Sequence, residues 1–331
     1  MQKIKIKSPT RVDLAGGTLD LWPLYNFVEE AKTVNVAIDI YTEVEIEVLP
    51  GSQIQLISED LNSKKEYAHL DECLNDKNSM LALLQRQVSF WKPKVGFKLT
   101  TRSGSPVGGG LGGSSSLIVS LLKAFAKLQD YQFSDSHQCV YWAHNIESQV
   151  LNTPTGTQDY YPAFSGGLNI LNYNQKEITQ RVLPIVGSEL EKCFMLVYTG
   201  KAHHSGLNNF EVLKNAIGKN SETMDALFKL KDIAIETAEV CENNQWQKIP
   251  QLFQKEYAQR IRLAPAFSSP EIEKLKDLSL KAGAEAVKIC GAGGGGCVLL
   301  WVPTEKRERV AEQCQKNGFQ VLSAKPVQPL M

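Results

Sequence analysis

A run of glycine and serine between a strand pattern and an apolar helix pattern is the segment best suited to chemistry. Residues 106–116 read PVGGGLGGSSS. Glycines let the backbone approach a ligand closely and turn its N–H groups toward it. The first turn of the following helix adds unpaired N–H donors and the positive end of its dipole. The segment therefore predicts a phosphate-binding loop, and the hydroxyls of Ser114 and Ser115 can reach a magnesium ion held by that phosphate.

Two other glycine patterns partly match this loop. The P-loop pattern G-x-x-x-x-G-K-[ST] is met by Gly108 and Gly113, but Ser114 stands where lysine is required. The dinucleotide pattern G-x-G-x-x-G is formally matched by Gly108, Gly110 and Gly113, with Asp130 as a candidate for the ribose acid. A dinucleotide-binding dehydrogenase and a merely flexible, serine-capped loop therefore stay open as alternatives.

A second polar cluster directly follows the first strand pattern. Residues 8–20 read SPTRVDLAGGTLD and place Arg11, Asp13 and Asp20 around the pair Gly16–Gly17. Arg11 could neutralise a transferring phosphoryl group, and Asp20 could accept hydrogen bonds from substrate hydroxyls. A turn carrying an Arg–Asp surface pair would give the same pattern.

A third motif, KICGAGGGGC at 288–297, lies between two apolar strand patterns. It holds glycine at position 291 and at 293–296. A hairpin does not need so many glycines, and each one costs conformational entropy on folding. The excess predicts a loop that packs against a bound ligand, although a purely structural glycine loop is the alternative.

Two carboxylates are selected by their place in the chain. Glu147 lies late in a helix pattern over 137–151, and Asp159 follows the turn at 154–156. A chain that returns on itself after that helix would bring both to the phosphate loop. One could hold Mg²⁺ while the other faces an acceptor hydroxyl. Without the glycine motifs, both would be interpreted as surface acids.

The remaining patterns predict the elements that position these motifs. Alternating apolar residues indicate a strand at 3–7 and, at 34–48, a long strand or a hairpin bent near Thr42. A polar stretch at 175–190 predicts a boundary between domains 1–180 and 181–331. Further strands are predicted at 95–99, 166–171 and 193–198, helices at 205–217, 221–243, 246–261 and 270–283, and a strand–turn–strand–helix–strand order over 286–323.

Composition limits the classes of protein. The 331 residues suffice for two packed domains, and 36 basic residues balance 36 acidic ones. A net charge of zero gives no electrostatic reason to expect nucleic acid or an anionic membrane as a partner. Seven dispersed cysteines without C-x-x-C, and no apolar run long enough for a signal peptide or membrane span, predict a cytoplasmic protein with reduced core cysteines.

The three glycine motifs, in this order, resemble those of the GHMP kinases over nearly the whole chain. That family is named for galactokinase, homoserine kinase, mevalonate kinase and phosphomevalonate kinase. PVGGGLGGSSS is similar to its phosphate loop P-x-G-x-G-L-G-S-S-[AS]. Finer features resemble the branch with heptose-7-phosphate 1-kinases and fucokinases: G-G-T-x-D at 16–20, G-x-Q-D-x-Y at 156–161, a glycine pair at 166–167 and Tyr-Thr-Gly at 198–200.

The resemblance implies an α/β (α+β) fold of two domains and an assignment of site residues. The N-terminal domain would be a ribosomal-protein-S5-domain-2-like α/β domain, and the C-terminal domain would be ferredoxin-like. Ser114 and Glu147 would bind Mg²⁺, and Asp159 would face the acceptor hydroxyl with Arg11 beside it. The ATP phosphates would contact Pro106, Gly108, Gly109, Gly110, Leu111, Gly112, Gly113, Ser114 and Ser115, and the substrate would contact Asp20, Gly16, Gly17, Gly293, Gly294 and His203.

One position departs from the family pattern. Gly113 stands where many members carry the first of two serines, so the serine that meets the metal, among positions 114–116, is left open. If the substrate already carries a phosphate, the candidate cations are Lys201, His203, His204, Arg260 and Arg262.

The function implied by the resemblance is ATP-dependent phosphorylation of a small molecule by a monomer or homodimer. The substrate would be a sugar or sugar phosphate, phosphorylated at the anomeric hydroxyl. A mevalonate-type kinase, a dehydrogenase and a nucleotide sensor that has lost catalysis are the alternatives.

Overall fold

The computed structural model describes residues 2–76, 80–202, 205–291 and 293–330, without the side chains at 205–208 and 265. The strands of these residues form one sheet of seven strands and one of four. The smaller sheet is antiparallel throughout. In the larger sheet, the third and fifth strands in chain order pair in parallel, and the other paired strands are antiparallel. This arrangement confirms the predicted two-domain α/β fold.

The larger sheet is organised around one long strand. Its strands are β1 Lys3–Ala15, β2 Ala31–Leu49, β3 Ile54–Ser58, β4 Ser63–Tyr67, β5 Gly96–Ser103, β6 Leu168–Tyr173 and β7 Ile178–Leu183. The pairing order is β4-β3-β5-β2-β6-β7, with β1 also paired to β2. β2 is continuous through Thr42, because β1 lies along one edge while β5 and β6 share the other. Of the two alternatives for 34–48, the long strand is confirmed.

The first strand is longer than its pattern predicts. Alternation marks only residues 3–7, but β1 continues to Ala15. From Ser8 onward both faces of the strand are buried. A strand covered on both sides loses the period-two signal, so the sequence cannot reveal its full length. The segment that carries Arg11 and Asp13 is therefore part of a strand that is buried on both faces.

Helices cover the larger sheet; α4 (Gly113–Leu128) directly follows the phosphate loop, and α5 (Ser136–Leu151) comes next in the chain. The predicted helix after that loop is α4, which is buried along most of its length as its apolar pattern indicates. α5 begins after Asp135, whose side chain accepts a hydrogen bond from the Gln138 N–H. The helices of this part are α1 Leu24–Val28, α2 Leu70–Asn75, α3 Ala82–Trp91, α4 Gly113–Leu128, α5 Ser136–Leu151 and α6 Tyr160–Ser165.

The smaller sheet and its helices follow the predicted order closely. The sheet order is β11-β8-β10-β9. Its elements are α7 Glu189–Cys193, β8 Phe194–Tyr198, α8 Ser205–Ile217, α9 Ser221–Glu242, α10 Ile249–Leu263, α11 Pro270–Ala282, β9 Ala286–Ile289, β10 Cys297–Trp301, α12 Arg307–Lys316 and β11 Gln320–Leu322.

The chain returns to the larger sheet at its end. Pro326 pairs with Ile38, Pro329 pairs with Gly166, and the Leu330 N–H donates to the Ser165 carbonyl over 2.7 Å. The predicted boundary between residues 180 and 181 falls inside β7, which pairs with β6. Strand pairing favours a division after Leu183, with residues 324–330 belonging to the first unit.

The cysteines lie in the core, as the sequence predicts. All seven cysteines are buried and free. Among the described residues, every helix is too short or too polar to cross a membrane.

Candidate active site

Residues from the three glycine motifs predicted from the sequence line one cleft of about 430 Å³. The first motif, the phosphate loop, the end of α5 and the 153–159 turn all reach its wall. The residues of these segments that line it include Arg11, Gly17, Thr18, Asp20, residues 105–115, Glu147, Gln158 and Asp159. Segments more than a hundred residues apart in sequence therefore form one site.

The phosphate loop has the backbone that glycine permits. Gly108, Gly110 and Gly112 have φ values of 63°, 72° and 68°, which other residues rarely adopt. A Cβ on Gly112 would also lie 3.1 Å from Asp159 Oδ2. The loop therefore approaches the Asp159 carboxylate closely at a point where a side chain would be strained.

The three serines after the loop point to different places. Ser114 is exposed, whereas Ser115 is buried and donates from Oγ to Glu147 Oε2 over 2.9 Å. Ser116 donates to the Ser8 carbonyl over 3.0 Å on the sheet side of α4. Of these three serines, Ser114 and Ser115 line the cleft and Ser116 does not.

Arg11 and Asp159 form a bidentate ion pair. Arg11 donates from Nε to Asp159 Oδ1 over 2.7 Å and from Nη2 to Oδ2 over 2.6 Å. Its third nitrogen, Nη1, donates to the Gly110 carbonyl over 2.6 Å. Burial lowers the pKa of Arg11, but the charge and hydrogen bonds of Asp159, together with the charge of Asp13, leave that pKa above its usual value. The guanidinium therefore stays charged and joins Asp159 to the phosphate loop.

Irregular pairing of β1 with β2 surrounds Arg11. The register shifts between Pro9 and Thr10, and again between Asp13 and Ala15. Such bulges bend a strand and re-aim its side chains, and they are common beside active sites. The short stretch between the two shifts presents Arg11 to the cleft.

Glu147 is a buried carboxylate in the wall of the cleft, near the end of α5. It is 3% exposed and accepts hydrogen bonds from Ser115 Oγ and from the hydroxyl of Tyr160. Burial raises the pKa of Glu147, and the hydroxyl donors oppose this only in part. A cation bound here would offset the cost of keeping the carboxylate charged.

Asp20 is a second buried carboxylate that lines the cleft. It is 4% exposed and accepts the Gln158 N–H over 3.1 Å. Burial, and then the charge of Asp159, raise the pKa of Asp20 to about 6. A Cβ on Gly156 would lie 1.8 Å from Asp20 Oδ2, so only glycine fits at 156.

Comparison with known proteins identifies the family. The GHMP kinases N terminal domain matches residues 77–167, and the GHMP kinases C terminal domain matches residues 237–320. The chain belongs to the GHMP kinase family. It is an ATP-dependent kinase, and the dehydrogenase alternative for the phosphate loop is thereby excluded.

Three relatives of this GHMP kinase extend over almost its full length. The chain is 28% identical to a D-glycero-alpha-D-manno-heptose 7-phosphate kinase of Campylobacter jejuni, over 96% of this chain and 95% of that one. It is 25% identical to a mevalonate kinase of Methanocaldococcus jannaschii, over 97% and 98%. The crystal structure of a D-glycero-D-manno-heptose 1-phosphate kinase from Bacteroides thetaiotaomicron superposes with a TM-score of 0.80 at 22% identity, covering 99% and 97%.

The third glycine motif of this GHMP kinase packs mainly against protein backbone. Gly291 lines the cleft, and a Cβ there would lie 2.9 Å from the Gly110 carbonyl oxygen. A Cβ on Gly293 would lie 2.2 Å from the Phe267 oxygen, and a Cβ on Gly294 would lie 2.8 Å from the Ala266 oxygen. These contacts explain the glycines at 293 and 294 without a ligand, and neither residue is among those that line the cleft.

Other residues assigned to the substrate by the GHMP resemblance differ in position. Gly17 lines the cleft, whereas Gly16 packs against β2, where a Cβ would lie 2.0 Å from the Lys32 oxygen. His203 and His204 lie outside the described residues. Of the other candidate cations, Lys201 pairs with Glu271, Arg262 pairs with Asp225, and Arg260 is buried behind the site.

The GHMP cleft also has an apolar end that the sequence analysis missed. It is lined by leucines of α3, the turn after β3 and the start of α4, namely Leu61, Leu83, Leu84 and Leu117, together with Met80 and Val107. These residues carry no chemical signature, and their elements precede or flank the glycine motifs. The exposure of Met80 (74%), Val107 (73%) and Leu61 (46%) distinguishes these three from core residues, and exposure cannot be predicted from a sequence pattern.

One supporting residue was missed for a related reason. Asn35 on β2 donates from Nδ2 to the carbonyl of Gln158, whose N–H binds Asp20. Asn35 is a polar residue among apolar neighbours in a predicted buried strand. Because buried polar groups need hydrogen-bond partners, this position could have been recognised from the sequence.

Proposed function

We propose that this kinase transfers the γ-phosphate of ATP to a hydroxyl of a sugar or sugar phosphate, with the anomeric hydroxyl as the favoured acceptor. The observation that carries the proposal is the pair of carboxylates, Asp20 and Asp159, on the same cleft as the phosphate loop. A buried carboxylate such as Asp20 can accept hydrogen bonds from two sugar hydroxyls at once. The likeness to a heptose 7-phosphate kinase supports a sugar-type acceptor.

In this proposal, Asp159 acts on the acceptor hydroxyl. The hydroxyl oxygen attacks the γ-phosphorus while the bond to the bridging oxygen of ADP breaks, and the hydroxyl proton passes to Asp159. Arg11 holds Asp159 through two hydrogen bonds and ties it to the Gly110 carbonyl, so the base keeps a fixed position relative to the phosphate loop. Pre-positioning of this kind is a large part of phosphoryl-transfer catalysis.

Mg²⁺ would bind between α4 and α5. The donors there are the carboxylate of Glu147 and the hydroxyls of Ser114 and Ser115, all oxygen ligands of the kind that Mg²⁺ prefers. The burial of Glu147 adds an electrostatic reason for a cation. When bound, Mg²⁺ would neutralise charge on the ATP phosphates. The apolar end of the cleft, with Leu83 and Leu117, would receive the adenine.

Glu147→Gln tests the metal site. The amide keeps the shape and can still accept from Ser115, but it loses the charge. We expect the Mg²⁺ concentration for half-maximal activity to rise about tenfold or more and turnover to fall strongly. The loss of even an outer partner of a metal ligand typically lowers metal affinity or activity by about 10–100-fold. Activity is titrated against Mg²⁺ at fixed ATP, with thermal unfolding measured alongside. Full activity with unchanged Mg²⁺ dependence would remove Glu147 from the metal site.

The raised pKa of Asp20 predicts a pH dependence. As the pH falls below about 6, Asp20 becomes protonated and can accept fewer hydrogen bonds from sugar hydroxyls. The kcat/KM for the acceptor should therefore fall as the pH drops through about 6, while the KM for ATP stays unchanged. Because the folded-state pKa lies above the ordinary value of 3.8, Asp20 contributes stability at low pH that is lost as pH rises through about 6.

Asp20→Asn is the control for this pH profile. The phosphate of a phosphorylated substrate also titrates near pH 6. That titration persists in the variant, whereas the limb caused by Asp20 disappears. An identical acidic limb in both proteins would show that Asp20 does not govern acceptor binding.

The substrate class is tested by a screen with Mg-ATP over sugars, sugar phosphates and mevalonate. ADP release identifies the acceptors, and phosphorus NMR with loss of reducing-end reactivity identifies anomeric phosphorylation. Asp159→Asn is run in parallel to exclude a contaminating kinase. Mevalonate, the substrate named for the Methanocaldococcus relative, is the competing acceptor. Turnover of mevalonate with none on any sugar would contradict the proposal.

A further inference from the structure

Four charged side chains form a buried network behind the acceptor wall of the cleft. They are Asp13 on β1, Glu256 and Arg260 on α10, and Lys288 on β9. Each is at most 1% exposed. The network thus joins the first motif to the strand that leads into the third glycine motif, across the two sheets.

The contacts are arranged as a closed set of ion pairs. Lys288 Nζ lies 3.0 Å from Asp13 Oδ2 and 3.3 Å from Glu256 Oε1. Arg260 donates from Nε to Glu256 over 2.6 Å and approaches Asp13 Oδ2 with Nη2 at 3.5 Å. Burial raises the pKa of Asp13, but Lys288 and Arg260 outweigh burial and hold that pKa below its usual range. Asp13 is therefore ionised.

Arg260 connects this network to the cleft. Its Nη2 donates to the Gly17 carbonyl over 3.1 Å, and Gly17 and Thr18 line the cleft next to Asp20. A Cβ on Gly17 would lie 2.5 Å from Asp13 Oδ2 and 2.9 Å from Arg260 Nη2. The glycine at 17 is thus required by the network. Thr18 has a φ of 80°, a backbone that persists only where surrounding contacts hold it.

Stability alone is a weak reason to bury four charges. Buried ion pairs are often neutral or costly relative to apolar side chains of similar size. Their geometry is more specific than apolar packing, because each hydrogen bond fixes a direction. Among the described residues, one hydrogen bond connects the network to the cleft wall. It is the bond from Arg260 to the Gly17 carbonyl.

We propose that Arg260 is a positioning residue for acceptor binding. Held by Glu256, it fixes the Gly17 carbonyl and with it the turn at residues 16–20 that carries Asp20. That Arg260 supports the binding of a sugar rests on the proposed function. The role as a support of the acceptor wall does not depend on which acceptor binds there.

Arg260→Lys tests this inference without removing the charge. Lysine has a single nitrogen and cannot reach Glu256 and the Gly17 carbonyl as the two-armed guanidinium does. We expect the KM for the acceptor to rise about tenfold or more, the scale of one lost charge-assisted hydrogen bond, while the KM for ATP changes less than about twofold. Thermal unfolding is measured for each variant.

Leu252→Ala is the matched control. Leu252 is buried on the same helix, and its truncation should lower the unfolding temperature by leaving a cavity without touching the Gly17 carbonyl. The inference predicts a raised acceptor KM for Arg260→Lys only. An unchanged acceptor KM in Arg260→Lys, or an equal rise in Leu252→Ala, would overturn it. If the wild-type enzyme uses mevalonate and no sugar, the proposed function fails, and the same comparison with mevalonate still decides the role of Arg260.

Discussion

Replacing Asp159 with asparagine should lower kcat by about 10²–10⁴-fold while ATP binding is nearly retained, the range expected for loss of a general base. Asparagine keeps the shape of the side chain but can neither take the hydroxyl proton nor carry charge. One of the two Arg11 hydrogen bonds would also face an amide nitrogen, which cannot accept. The measurements are kcat from ADP release and the Kd for ATP from direct titration.

A carboxylate outside the cleft provides the control for Asp159. Asp135 caps α5 by accepting the Gln138 N–H, and asparagine is an equally good cap. Asp135→Asn should therefore leave folding and kcat unchanged. A loss of less than tenfold in Asp159→Asn would make that residue an orienting group or a bystander.

Arg11→Ala should be nearly as harmful as Asp159→Asn, with a loss in kcat of about 10²-fold or more, as for other donors aimed at developing charge. The truncation frees Asp159 to move and leaves the Gly110 carbonyl without its donor. Arg11→Lys keeps the charge but cannot hold both carboxylate oxygens and the carbonyl at once. We expect lysine to be milder than alanine, because the charge remains. Activity close to the wild-type value in Arg11→Lys would mean that only charge matters at this position.

The two residues can be tested as one unit. Side chains that act through each other give non-additive losses, so the double variant Arg11→Ala with Asp159→Asn should be little worse than Asp159→Asn alone. Steady-state kcat for the four proteins of this cycle supplies the coupling. Fully additive losses would show that Arg11 and Asp159 contribute independently, despite the hydrogen bonds that join them.

The residues that could be predicted from sequence share a physical property. Gly108, Gly110 and Gly112 occupy backbone conformations that other residues avoid, so their clustering carries information about shape. Asp159 and Glu147 could be selected only because the turn at 154–156 and the end of α5 place them near that loop. Constraints of this kind act within a few consecutive residues, so a sequence pattern can reveal them.

Other features depend on contacts that no local pattern records. The alternation of β1 disappears at Ser8, where the second face becomes covered, so its length could not be predicted. The glycines at 293 and 294 suggest a ligand, but a Cβ there would meet the backbone oxygens of Phe267 and Ala266, from a distant turn. The sequence makes Arg260 a candidate cation for a substrate phosphate, whereas its partners in the structure are Glu256 and Asp13 in the core. In each case the deciding neighbour lies far away in sequence.

The return of residues 324–330 to the first sheet has a consequence for the order of folding during synthesis. The Ala37 carbonyl accepts the Val327 N–H, and the Gly167 N–H donates to the Val327 carbonyl. Domains usually fold as they emerge from the ribosome, amino-terminal part first. Here the larger sheet cannot complete its hydrogen bonding beside α6 until the whole second unit has been translated, and the helix that follows Asp159 gains its last backbone partners only then.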